Sequence, residues 1–120
     1  MQEIDQTEEL KDAGTELQRL YKAGELFEDP PITRESREVK ESLERLSAAL
    51  GSELWKIGRE RHPALAEAGE HTLPRSAVLF NGMVLIESDL GGGWCAFGGY
   101  DYATGDCEYF GTGRCIGARP

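Results

Sequence analysis

The chain is poor in cysteine, histidine, positive charge and long apolar runs, and each shortage removes a class of function. It holds three cysteines, Cys95, Cys107 and Cys115, among 120 residues. An odd number at this density does not make a disulfide framework. No Cys-x2-Cys pair occurs, so the close-set knuckle usual in a structural zinc site is missing. His62 and His71 are the only two histidines. One precedes a proline and the other lies in a polar linker, so neither is placed to activate a thiol. The 13 Lys and Arg stand against 22 Asp and Glu, a formal net charge of −9. That balance repels phosphate backbones and excludes general nucleic-acid binding. The longest apolar stretches are Ala77–Phe80 and Met83–Ile86. Both fall far short of the ~20 residues of a spanning helix, so no membrane is expected. Met1-Gln2-Glu3-Ile4-Asp5 contains no basic region followed by an apolar run. A cytoplasmic protein without a secretory signal is therefore expected.

The thiols are expected reduced and mostly buried, since unbridged cysteine behaves as a small hydrophobe. One bridge with one thiol left over is the alternative. A metal set of Cys95, Cys107 and Cys115 with His62 or His71 has the right atoms but not the usual spacing, and no metal is assigned. Gly91-Gly92-Gly93 leads into a strand, and only three residues follow Gly117. Neither glycine cluster opens a helix after a strand, so neither cradles phosphate. No acid, base and nucleophile converge, and no catalytic residue or cofactor is assigned.

What is present divides the chain in two. Residues 1–60 carry 15 acids and 9 bases, while residues 61–120 carry 7 acids and 4 bases. Ten of the 15 glycines lie between Gly82 and Gly117. Helices followed by a compact β-region fit this split within one domain, 1–120.

Leu10, Ala13, Leu17, Leu20, Gly24 and Phe27 recur at steps of three and four, which predicts a helix over about 5–28. Asp5 or Thr7 can cap it. Gly14 and Gly24 each cost about 1 kcal/mol against alanine and weaken the expectation. Asp29-Pro30-Pro31 stops it. Val39, Leu43, Leu46, Leu50 and Ile57, with Leu54 beside them, predict a second helix over about 34–61. The pair reads as an antiparallel helical hairpin over about 5–62. Pro63 to Gly69 reads as a short helix. A β-meander of three to four strands follows over about 76–112, and a loose tail over 113–120. Asn81-Gly82 is a hairpin signal, or a bulge in one long strand. Asp101 to Gly105 reads as a type I turn closed by a left-handed glycine. The fold class is therefore α+β: a long helical hairpin, a short helix, then an antiparallel meander.

Two surfaces are candidates for function. Setting Tyr100 opposite Asp106 places Cys95, Phe97, Cys107 and Tyr109 on the face against the helices. Trp94, Tyr100, Glu108 and Phe110 then form an aromatic outer face for a protein partner or planar ligand, unless a loop, the short helix or the tail covers it. A bulge at Gly105 shifts this register by one. The second candidate is the helix seam: Leu10, Leu17, Leu20, Leu43, Leu46, Leu50, Leu54 and Trp55. Strands of about 5–7 residues cannot cover helices ~40 Å long. Part of the seam, including Leu54, Trp55 and the Leu10 to Leu17 region, is then left for a homodimer or another protein. The expected function is non-catalytic protein–protein interaction, as an adaptor, regulator or assembly component. The alternative is a small-ligand- or metal-binding domain using the aromatic, cysteine-bearing sheet.

Overall fold

The computed structural model describes residues 2–24, 37–63 and 82–116, and the backbone of 76–80. Two helices, α1 (Glu8–Lys22) and α2 (Arg37–Arg61), pack on one face of an antiparallel sheet. The strands are β1 (Gln2–Glu3), β2 (Ser76–Phe80), β3 (Met83–Gly91), β4 (Trp94–Asp101) and β5 (Asp106–Arg114). The fold is α+β, as the change of hydrophobic period indicates.

α1 begins where the chemistry of its first turn requires. Thr7 is the N-cap, and its Oγ1 accepts from the Leu10 N–H at 3.2 Å. Glu8 and Glu9 face the positive end of the helix dipole. The helix ends at Lys22, and Gly24 follows at φ 74°. A left-handed residue closes a helix, so α1 is shorter than the 5–28 expected. Near its end Arg19 pairs with Glu16 and reaches across to Glu38 in the first turn of α2. α2 runs 25 residues, about 37 Å. The expected corner at 29–33 and the short helix beyond Pro63 lie outside the described residues.

Strand order is β1-β5-β4-β3-β2. Successive strands β2 to β5 are neighbours, but the edge beside β5 is taken by β1, from the opposite end of the chain. The sheet is thus not a simple meander. β1 pairs Gln2 with Tyr109 and Glu3 with Glu108, and the Ile4 N–H donates to the Cys107 carbonyl at 2.9 Å. Ile4 is drawn into the core by this pairing.

The last hairpin differs from expectation by one residue. Asp101 faces Asp106 and Tyr100 faces Cys107. The Asp101 carboxylate accepts from the N–H groups of Ala103 and Thr104, and Gly105 N–H closes on the Asp101 carbonyl at 2.7 Å. Gly105 takes φ 87°, so the left-handed glycine is where the sequence placed it. The loop nevertheless starts one residue later than assumed. A slip of one residue exchanges the faces of a strand. Tyr100 therefore turns towards the helices with Cys107 and Tyr109, and Cys95 and Phe97 turn away.

Close approach of helix to sheet rests on glycine. At Gly98 a Cβ would run into the Leu54 side chain and sit 2.6 Å from the Glu108 carbonyl oxygen. At Gly14 it would lie 2.6 Å from the Tyr100 Oη. The residue that weakened the helical expectation for α1 is the one that admits the tyrosine ring. The Ser88 hydroxyl donates to the Gly51 carbonyl at 3.0 Å and ties β3 to α2.

Candidate functional site

The two candidate surfaces fare differently. Leu10, Leu17, Leu20, Leu46, Leu50 and Leu54 are all fully buried, and Leu43 and Trp55 pack partly buried against the same core. No length of seam stands open along Leu10 to Leu17 or at Leu54. The reason is size: β3, β4 and β5 run 9, 8 and 9 residues, longer than expected, and α1 is only 15. α1 packs against α2, and strands of about 30 Å run under most of α2, so these residues form an internal core.

The aromatic set is split by the register. Tyr100 is 1% exposed and inside the core. Burial raises its hydroxyl well above the ordinary phenol range, with smaller contributions from Cys107, Asp101 and Asp106. Glu108 and Phe110 are half-buried on the opposite, outer face. Trp94 lies at the end of the sheet, 37% exposed, with the Arg114 guanidinium 4.9 Å from its ring centroid. The four side chains therefore do not form one surface.

The outer face has a composition of its own. Along β3 the alternate residues Val84, Ile86, Ser88 and Leu90 are buried on the helix side, which leaves Met83, Leu85, Glu87 and Asp89 outside. Phe97 and Gly99 of β4 lie beside them. Met83 and Phe110 meet over Gly99, where a Cβ would fall 2.9 Å from the Met83 Cε and 3.1 Å from the Phe110 ring. Met83, Leu85, Phe97 and Phe110 are all half-buried.

At one end of this face the cysteines part company. Cys95 and Cys115 form a disulfide with a Cα separation of 5.1 Å, joining β4 to the residue just past β5. The expectation of three reduced thiols is overturned, and the alternative of one bridge and one thiol holds. An antiparallel hairpin brings the start of one strand beside the end of the next, and the register sets Cys95 against Gly113, two residues before Cys115. Cys107 is buried on the helix side, and desolvation, with a smaller contribution from Asp106, pushes its thiol up to about 12. It cannot join the other two in a three-cysteine metal set. His62 follows the end of α2, and His71 lies outside the described residues.

The disulfide has acidic neighbours that sequence spacing did not single out. Asp89 faces Cys95 directly across the ladder. Its carboxylate and the two sulfurs lie within 4.8 Å of one another. The Asp89 Oδ1 accepts from the Gly91 N–H at 2.8 Å. Glu87, only 2% exposed, accepts from the Ile116 N–H at 2.6 Å. The Cys115 N–H donates to the Gly93 carbonyl at 2.9 Å. The signal that could have found this cluster is alternation: Glu87 and Asp89 share one face of β3, next to the strand that begins Trp94-Cys95. No helix of the described residues is long and apolar enough to cross a membrane. Comparison with protein-family models, curated proteins and solved structures finds no match to this chain.

Proposed function

We propose that this chain acts without catalysis, by binding a protein partner through the outer face of its sheet. The observation that carries this is the group Met83, Leu85, Phe97 and Phe110, half-buried on a face to which neither α1 nor α2 packs. Apolar side chains clustered on one sheet face are the usual currency of protein contact. Asp89 and Glu108, both half-buried, border the cluster and supply a polar rim. A second copy of the chain is the first partner to test.

Sedimentation equilibrium combined with binding of an apolar-surface dye tests the reading. Self-association or dye binding that Leu85→Glu and Phe110→Glu abolish supports it. A strict monomer that binds no dye, in the parent and in both variants, removes it. A cytoplasmic setting is part of the proposal, and it bears on the sulfur chemistry. In a reducing cytosol Cys95 and Cys115 are a dithiol, whereas in an oxidising compartment they stay bridged.

A further inference from the structure

We infer that reduction of the Cys95–Cys115 bridge creates a site for one thiophilic divalent cation of the zinc type, held by both sulfurs and the Asp89 carboxylate. This goes beyond the proposed protein contact and does not depend on it.

Three donors converge from three parts of the sheet, Asp89 on β3, Cys95 on β4 and Cys115 just after β5. They lie within 4.8 Å of one another before any metal is considered. Zinc binds sulfur at about 2.3 Å, so two tetrahedral sulfur ligands stand about 3.8 Å apart. Opening the bridge to that spacing needs about 1 Å of movement at each sulfur, within the reach of side-chain rotation. Hydrogen bonds independent of the bridge keep the donors together when it opens. The Cys115 N–H remains on the Gly93 carbonyl, the Ile116 N–H on Glu87, and Asp89 opposite Cys95 in the ladder. The Gly91 N–H on Asp89 Oδ1 orients the carboxylate, as hydrogen bonds to ligating carboxylates do in established metal sites.

The donor set selects the ion. Two thiolates and one carboxylate favour zinc or cadmium over calcium or magnesium, which require oxygen ligands. Three protein ligands leave a fourth tetrahedral position for water.

The chemistry balances with an external thiol. Two thiols of a reductant such as dithiothreitol supply two electrons and two protons and become its disulfide. The protein S–S bond becomes two S–H groups. The cation then displaces both protons as it binds, so affinity rises with pH. Cys107 takes no part, since it is buried on the other side of the sheet.

Cobalt(II) is the probe, added to the full chain reduced with dithiothreitol and desalted without oxygen. The expected result is one equivalent bound, with thiolate-to-cobalt charge-transfer absorption that zinc abolishes by displacement. The oxidised chain should show none. Asp89→Asn should weaken binding about tenfold or more. Cys115→Ser should remove the charge-transfer band, and Cys107→Ala should leave it. Alkylation mapped by mass spectrometry gives a second readout on the unsubstituted chain: zinc should protect Cys95 and Cys115 together. No stoichiometric binding to the reduced chain, no protection of the two thiols, or equal binding by Asp89→Asn overturns the inference.

Discussion

The two faces of the sheet solve different physical problems with the same residue types. On the helix side, Gly98 and Gly14 let Leu54 and Tyr100 come within contact of the opposing backbone. The lone cysteine there, Cys107, is an inert part of a dry core. On the outer side, Gly99 lets Met83 and Phe110 meet, and the cysteines are paired beside two carboxylates. A glycine or cysteine in this half of the chain thus has no fixed meaning. The face it lands on decides whether it serves packing or chemistry.

The sharpest way to break this comparison is to add one methyl group on each face. Gly98→Ala should cost about 3 kcal/mol or more, because the Glu108 carbonyl oxygen 2.6 Å from the new Cβ belongs to the ladder and cannot swing aside. Gly113→Ala, whose nearest neighbour is the Phe97 ring at 3.5 Å, should change stability by less than about 1 kcal/mol. Urea denaturation of the two variants measures the difference, and equal losses would abolish the distinction between the faces.

Next in size is the outer bridge. It closes a loop of 20 residues, and chain-entropy arguments assign such a closure about 3 kcal/mol. Denaturation with and without reductant reads this directly, and Cys95→Ala with Cys115→Ala should behave as the reduced parent.

The inner cysteine predicts a pH dependence of definite sign. Its folded thiol is raised to about 12 by burial, from an ordinary value of 9.0. The folded state therefore holds the proton where the unfolded chain releases it. The contribution is complete below about pH 8, and is lost as pH climbs from 9 towards 12, by about 1.4 kcal/mol per unit for one proton. Tyr100, also raised by burial, adds to the fall at the upper end. Cys107→Ala should flatten the profile above pH 9, and an unchanged slope would show that the thiol is not desolvated.

The smallest expected effect lies in α2. The Ser47 hydroxyl is buried and has no hydrogen-bond partner among the described residues. Ser47→Ala removes an unsatisfied group and improves helix propensity, so the chain should gain about 1 kcal/mol. Thermal unfolding at neutral pH measures it.

Much of the architecture was legible because it is periodic. Leu10, Leu17, Leu46 and Leu50 announced helical faces, Thr7 marked a helix start, and Asp101 with Gly105 marked a turn, each through interactions within a few residues. β1 was not legible, since two residues carry no period. The face of Tyr100 was not legible either. It depends on where the Asp101–Asp106 loop begins, and a bulge between Phe97 and Gly98 resets the register again further along. The seam looked open because strand length was underestimated, and the Asp89 cluster went unseen because its members are neighbours only across the ladder.

Local sequence, then, determined the element types, the capping of α1 and the left-handed glycine that closes the last turn. These depend on dihedral preference and on hydrogen bonds between near neighbours. Tertiary structure alone decided which cysteines meet, which face holds Tyr100, and that the N-terminus completes the sheet. The first two turn on the register between strands, and the third on pairing between segments far apart in sequence. A single strand's alternation fits either setting, and only packing against the helices selects one.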